Sequence, residues 1–143
     1  MKRADTPWGA LELMRAPAPT PSRYPRSYDS AGRCLVWKPT EAFLSFRLAC
    51  DIEDLRRPVP SVLFRRYRTQ NRSDFLIRWT RTEVFAKLFR VPLLIWLSAH
   101  GLEDPGVYSP RPFGLLTLEW EGKIISLGYD TRHIHESPRR RYR

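Results

Sequence analysis

Residues 73–102, SDFLIRWTRTEVFAKLFRVPLLIWLSAHGL, hold the densest apolar content of the chain and its clearest helix signals. Thr80 and Glu83 have the spacing of a capping box, in which a hydroxyl and a carboxylate satisfy the first free N–H groups of a helix. Val84, Phe85, Leu88, Phe89, Ile95, Trp96 and Ala99 then recur at three- and four-residue intervals, the period of a helix with one buried face. Gly101 is a natural stop, since glycine takes the left-handed conformation without a Cβ clash. His100 lies in the last turn, where positive charge is favoured. Pro92 lacks an N–H and its ring presses on the preceding turn, so the expectation is a kinked or broken helix over 81–100. Residues 91–97 are too few to cross a bilayer, which takes about 20 apolar residues. They read as core, or as a partner-binding face around Trp96 flanked by Arg81, Lys87 and Arg90.

The chain has 143 residues, the size of one domain. Hydrophobic residues make up 42%, enough for one modest core. Thirteen prolines, several near the N-terminus, restrict the expected folded part to residues 33–128. Residues 1–32 read as a flexible arm, in which Pro7, Pro17, Pro19, Pro21 and Pro25 oppose regular structure. Within it, Trp8, Leu11 and Met14 have the spacing of a single apolar helical turn. Pro21-Ser-Arg-Tyr24 falls one proline short of a Pro-Pro-x-Tyr motif, which makes Pro21 and Tyr24 candidate protein-interaction residues.

Residues 41–52 alternate. Ala42, Leu44, Phe46, Leu48, Cys50 and Ile52 point one way and Ser45, Arg47 and Asp51 the other, so a strand with one wet face is expected. An acidic turn is expected over 51–54, and a short helix near 60–67. Residues 75–79, FLIRW, resemble a short strand. Residues 114–128 read as a hairpin turning at Glu121-Gly122, with Leu116, Leu118, Trp120 and Ile124 on one face. Residues 129–143 read as a basic tail. The expected fold class is therefore α+β: a small, mainly antiparallel sheet packed on a kinked helix, between an N-terminal arm and a C-terminal tail.

The formal net charge is +10 and the isoelectric point about 10.3. Such a charge attracts nucleic acid, anionic lipid or acidic protein. The cations are mostly arginine, whose planar fork suits phosphate and base edges. Arg56, Arg57, Arg65, Arg66, Arg68 and Arg72 are interleaved with Phe64 and Tyr67, a pattern suited to phosphates and stacked bases or, equally, to a solvated face over two core aromatics. Arg139, Arg140, Arg141 and Arg143 form a second basic group. The arginine, proline and tryptophan excess also fits an overlapping-frame product with little stable fold.

Catalytic patterns are missing. No glycine-rich phosphate loop occurs, and no nucleophile elbow. His133, His135, Cys34 and Cys50 match no common zinc spacing. Glu119 and Glu121 have no evident partner for acid–base work. No cofactor, no metal and no enzymatic activity are expected. Nothing near Met1 resembles the core of a signal peptide, so both cysteines should be reduced and the protein cytoplasmic or nuclear, or peripheral at an inner membrane face, rather than secreted.

The order of these pieces resembles the matrix proteins of rhabdoviruses and their relatives. The matching pieces are the arm around Pro21 and Tyr24, the strand over 43–52 followed by Arg57-Pro58, the helix over 84–100, and residues 115–120 followed by Glu121-Gly122. The resemblance implies a structural viral assembly protein that self-associates, binds ribonucleoprotein and touches anionic membrane. Tyr24 would then belong to a degenerate late-budding motif. Trp79-Thr80 and Phe89-Arg90-Val91, with Leu97 and Gly101, are also similar to the replication-enhancer proteins of geminiviruses, which implies a replication-accessory interaction module. A nucleic-acid-binding role for residues 56–72 and the tail stands beside both.

Overall fold

A computed structural model describes residues 1–15, 23–102 and 113–132. Seven strands and three helices follow in the order β1 (Lys2–Thr6), β2 (Gly9–Arg15), β3 (Arg26–Tyr28), β4 (Arg33–Pro39), β5 (Arg47–Asp54), α1 (Ser61–Tyr67), α2 (Arg72–Phe89), α3 (Leu93–His100), β6 (Phe113–Trp120) and β7 (Lys123–Asp130). The strands make two antiparallel sheets, ordered β1-β2-β4-β3 and β5-β7-β6. The α+β class with antiparallel sheets is as expected.

The layers are sheet, sheet, helices. Leu11, Leu13, Leu35 and Trp37 of the first sheet meet Cys50, Ile52, Ile125 and Leu127 of the second. The other face of the second sheet lies under α2, through Ala49 against Val84, Phe85 and Leu88, and through Ile124 against Phe75 and Leu76. Gly128 permits this close approach, since a Cβ there would meet Val84 Cγ1 at 2.4 Å. Thr80 and Ser126 bond across the same interface at 2.9 Å.

The N-terminal segment departs most from expectation. Residues expected in a flexible arm form β1, β2 and β3. Pro7 falls in the β1–β2 turn, where Thr6 Oγ1 donates to the Gly9 carbonyl at 2.7 Å and accepts from Trp8 N–H at 3.1 Å. Leu11 and Leu13 alternate inward as strand residues, so the spacing of Trp8, Leu11 and Met14 does not make a helical turn. Pairing of β2 with β4 outweighs the local proline density.

Other boundaries shift, while the expected break near Pro92 is present. Residues 41–43 form a 3-10 turn, and the strand begins at Arg47 and runs through the segment expected as an acidic turn. Its two faces are both covered, because a sheet lies on one side and α2 on the other. FLIRW is helical within α2, whose cap is Asn71: its side chain accepts from Asp74 N–H at 2.9 Å. Thr80 lies in the interior of α2, where its hydroxyl meets the Ile77 carbonyl at 3.0 Å, so it is not the cap. The helix breaks at Arg90, which takes a left-handed conformation with φ 53°, and Pro92 caps α3. Helix α1 lies where a short helix was expected.

The β6–β7 hairpin turns at Glu121 and Gly122, with φ 54° and 68°. Ile124 pairs with Glu119 and faces the helices, so it does not share a face with Leu116, Leu118 and Trp120. The second sheet ends at Asp130 rather than 128. Tyr129, expected in the tail, instead packs edge-on against Trp8 and Phe43 at ring separations of 5.2 Å.

Candidate nucleic-acid interface

Positive and negative charges occupy different places in this fold. The acids are largely internal. Lys123 Nζ lies 2.8 Å from Asp29 Oδ2 and 2.7 Å from Asp54 Oδ2, with its side chain 4% exposed. Lys87 Nζ reaches Asp51 Oδ1 at 3.0 Å and the Cys50 carbonyl at 2.9 Å. Ser27 Oγ donates to the same Asp51 oxygen at 2.9 Å. Arg57 donates to Glu53 at 2.5 Å, Lys38 to Glu12 at 2.8 Å, and Arg132 to Asp130 at 2.6 Å. Three lysines and two arginines are thereby committed to acids.

Four further arginines, Arg65, Arg66, Arg68 and Arg72, gather at the α1–α2 corner. Arg65 and Arg66 are exposed in the last turn of α1, where the helix carbonyls favour cations. Arg68 is exposed as the C-cap of α1, with φ 54°. Arg72, also exposed, opens α2 four residues on. Among the described residues none of these four makes an ion pair. Arg66 lies 5.7 Å from the Tyr67 ring. Arg56 is 90% exposed, with a loose 3.6 Å contact to Asp54.

The corner therefore unites Arg65, Arg66, Arg68 and Arg72, with Arg56 as an outlier. Arg57 is not available to it in the same way, because it is bonded to Glu53 and lies 6.0 Å from the Trp79 ring. The aromatic half of the expected pattern is only partly exposed. Phe64 and Tyr67 are half-buried and pack on Phe75, at 6.1 and 6.3 Å.

Trp96, expected on a partner-binding face, is buried at 7% exposure between Phe85 and Phe89. Its neighbours Leu94 and Ile95 carry the exposure instead, at 79% and 59%. Tyr24 is half-buried against Cys34 and Val36, with the Arg23 guanidinium 5.2 Å from its ring. Pro21, Arg139, Arg140, Arg141, Arg143, His133 and His135 lie outside the described residues.

Among the described residues no group of His, Cys, Asp or Glu is arranged to hold a metal ion. Cys34 and Cys50 are buried and free. Burial pushes the Cys50 thiol up to about 12, which removes it as a nucleophile at neutral pH. No helix among the described residues is long and apolar enough to cross a membrane.

Sequence reasoning missed the internal charge network. Asp51 and Glu53 looked like part of an acidic turn, and the hairpin pattern singled out no partner for them. Their pairing depends on β3, β5, β7 and α2 meeting, which no local spacing announces.

This network predicts an unusual pH response. Burial pushes the Asp51 carboxyl up to about 6; Lys87 and the Ser27 bond oppose the shift, and Glu83 adds to it. Glu53 and Glu83 are also raised, first by burial. A carboxyl that binds its proton more tightly when folded gains stability as pH falls through its folded pKa. Stability should therefore rise by about 1–2 kcal/mol between pH 7.5 and 5 from Asp51 alone. Below that range the gain reverses. Asp29, although opposed by burial, is held low by Lys123, and Asp54 is held low by its bond to Lys123. Urea midpoints at the two pH values measure the rise, and Asp51→Asn should flatten it.

No protein-family model matches the chain, and no curated protein or solved structure matches it either.

Proposed function

We propose that this is a non-enzymatic binding protein whose α1–α2 corner engages the phosphates of a nucleic acid, bare or within a ribonucleoprotein. The observation that carries the reading is the segregation of charge. Asp29, Asp51, Glu53 and Asp54 are paired within the fold, and among the described residues Arg65, Arg66, Arg68 and Arg72 stay exposed without an ion pair on one corner. Guanidinium groups fit phosphate oxygens with two parallel N–H bonds. With Phe64 and Tyr67 half-buried against Phe75, contacts at this corner should fall mainly on the backbone, so binding is expected to be largely indifferent to sequence. Such a role belongs to the cytoplasm or nucleus.

Replacing the four arginines with Ala tests this directly. For single-stranded RNA each phosphate contact contributes about 0.7 to the slope of log K against log salt, so the slope should fall by about 3. Fluorescence anisotropy across a salt series gives the number. An unchanged slope in a folded variant would overturn the proposal.

A matrix-like assembly role at anionic membrane is the second reading. It draws on Val62, Leu94 and Ile95, apolar side chains exposed on α1 and α3. Mixing the protein with anionic liposomes and single-stranded RNA at near-physiological salt separates the two. Partition with RNA supports the first reading, and partition with liposomes the second.

A further inference from the structure

Among the described residues, three of the four sheet edges are protected in the ways that normally stop strands from pairing between molecules. Strand β1 presents Lys2, Arg3 and Asp5 to solvent. Strand β3 is only three residues long, and its Ser27 bonds to Asp51 of β5. The outer edge of β5 is closed by Lys87, and the Arg47 side chain donates to the Leu88 carbonyl at 2.9 Å. Strand β6 is the least protected, with Glu119 as its one charge. Its sequence, FGLLTLEW, is eight residues long without Pro, Lys or Arg.

The free backbone groups of β6 can be assigned. In a two-residue hairpin the residues flanking the turn exchange both N–H···O bonds, and here they are Trp120 and Lys123. Leu116, Leu118 and Trp120 therefore direct their N–H and C=O toward β7. Phe113, Leu115, Thr117 and Glu119 direct theirs outward. The same alternation, followed through β7 to β5, puts the Cys50 carbonyl on an outer edge, where Lys87 does meet it at 2.9 Å. No described residue bonds to the outward groups of β6.

We infer that β6 is a self-association edge, on which a second copy of this chain pairs its own β6 antiparallel about a two-fold axis. The result is one six-stranded sheet across two molecules, with α2 on the same side in both. Same-face pairing requires the axis to pass through a residue. Centring it on Leu116 uses every outward group: Phe113 of one copy faces Glu119 of the other, and Leu115 faces Thr117. The row is complementary to itself. Leu116 meets its counterpart, and the two Glu119 carboxylates stay apart. Because the strand contains no cation, the positive charge of the chain is not concentrated at the seam. This edge is independent of the arginine corner and needs no nucleic acid.

Sedimentation velocity combined with residue-resolved amide exchange, on full-length protein free of nucleic acid at two concentrations, tests the inference. The expected mass at the higher concentration is twice that of the chain. There the amides of Leu115, Thr117 and Glu119 should exchange on the order of a hundredfold more slowly than after dilution. Those of Leu116, Leu118 and Trp120 should be slow at both. A monomer at every concentration overturns the inference, as does a dimer whose outward amides stay fast. Slow outward amides in a monomer also overturn it, because another part of the same chain would then fill the edge. Thr117→Pro removes an outward N–H and leaves the ladder to β7 intact, so it should be monomeric. If that variant does not fold, the exchange pattern of the unsubstituted protein decides.

Discussion

Replacing Lys123 with methionine is expected to lower stability by about 3–5 kcal/mol, the usual result of removing one partner from a buried ion pair. Burial works against the charge of Lys123, but its bonds to Asp29 and Asp54 outweigh that and raise its pKa. Methionine keeps most of the side-chain volume, so the loss comes from charge rather than from a cavity. What remains is Asp29, whose side chain is wholly buried. Its Oδ1 still accepts from Ala31 and Arg33 N–H at 2.9 and 2.8 Å, and the penalty therefore falls on Oδ2. The variant should carry a pH signature. Without Lys123, burial dominates at Asp29 and lifts its pKa, so the deficit shrinks as pH falls from 7 toward 5. Adding Asp29→Asn should recover part of the loss. Urea midpoints at both pH values decide the matter, and a midpoint equal to that of the unsubstituted protein would sink the argument.

Phe85→Ala is expected to cost a similar amount, about 3–5 kcal/mol, for a different reason. Phe85 is 1% exposed. Its ring lies 6.0 Å from Phe89, 6.2 Å from Trp96 and 5.2 Å from Phe113. Those rings belong to α2, α3 and β6, so one side chain joins three elements. Removing it loses apolar burial and leaves a void that the stacked rings cannot close without abandoning one another. Phe85→Leu fills most of that void and should cost about 1.5 kcal/mol or less. Equal losses for Ala and Leu in urea unfolding would show that the site relaxes freely, contrary to this packing.

The parts of the fold that sequence reveals are those specified locally. Glu121-Gly122 marks the hairpin because only a few residues tolerate two successive positive φ angles. Gly101 and Pro92 mark ends of helices by their own backbone limits. The parts that stay hidden are decided by distant partners. Helix α2 packs on the second sheet through one face and on α1 and α3 through others, so its apolar residues are spread too widely to mark where it begins. FLIRW consequently looks like a strand. Leu11 and Leu13 become a strand only because Leu35 and Trp37 of β4 lie alongside. The arginine corner was legible as composition. Which arginines remain free was not, since that depends on where the acids are buried. Arg57, adjacent to Arg56 in sequence, is withdrawn by Glu53, four residues earlier on β5.

The two cysteines supply this chain with chemical reporters of its own. Cys34 lies in β4 and Cys50 in β5, one in each sheet, and both are at most 1% exposed. Neither thiol meets an alkylating reagent until its sheet opens. The labelling rate at each position therefore times the opening of one sheet against the other, without a probe having to be introduced.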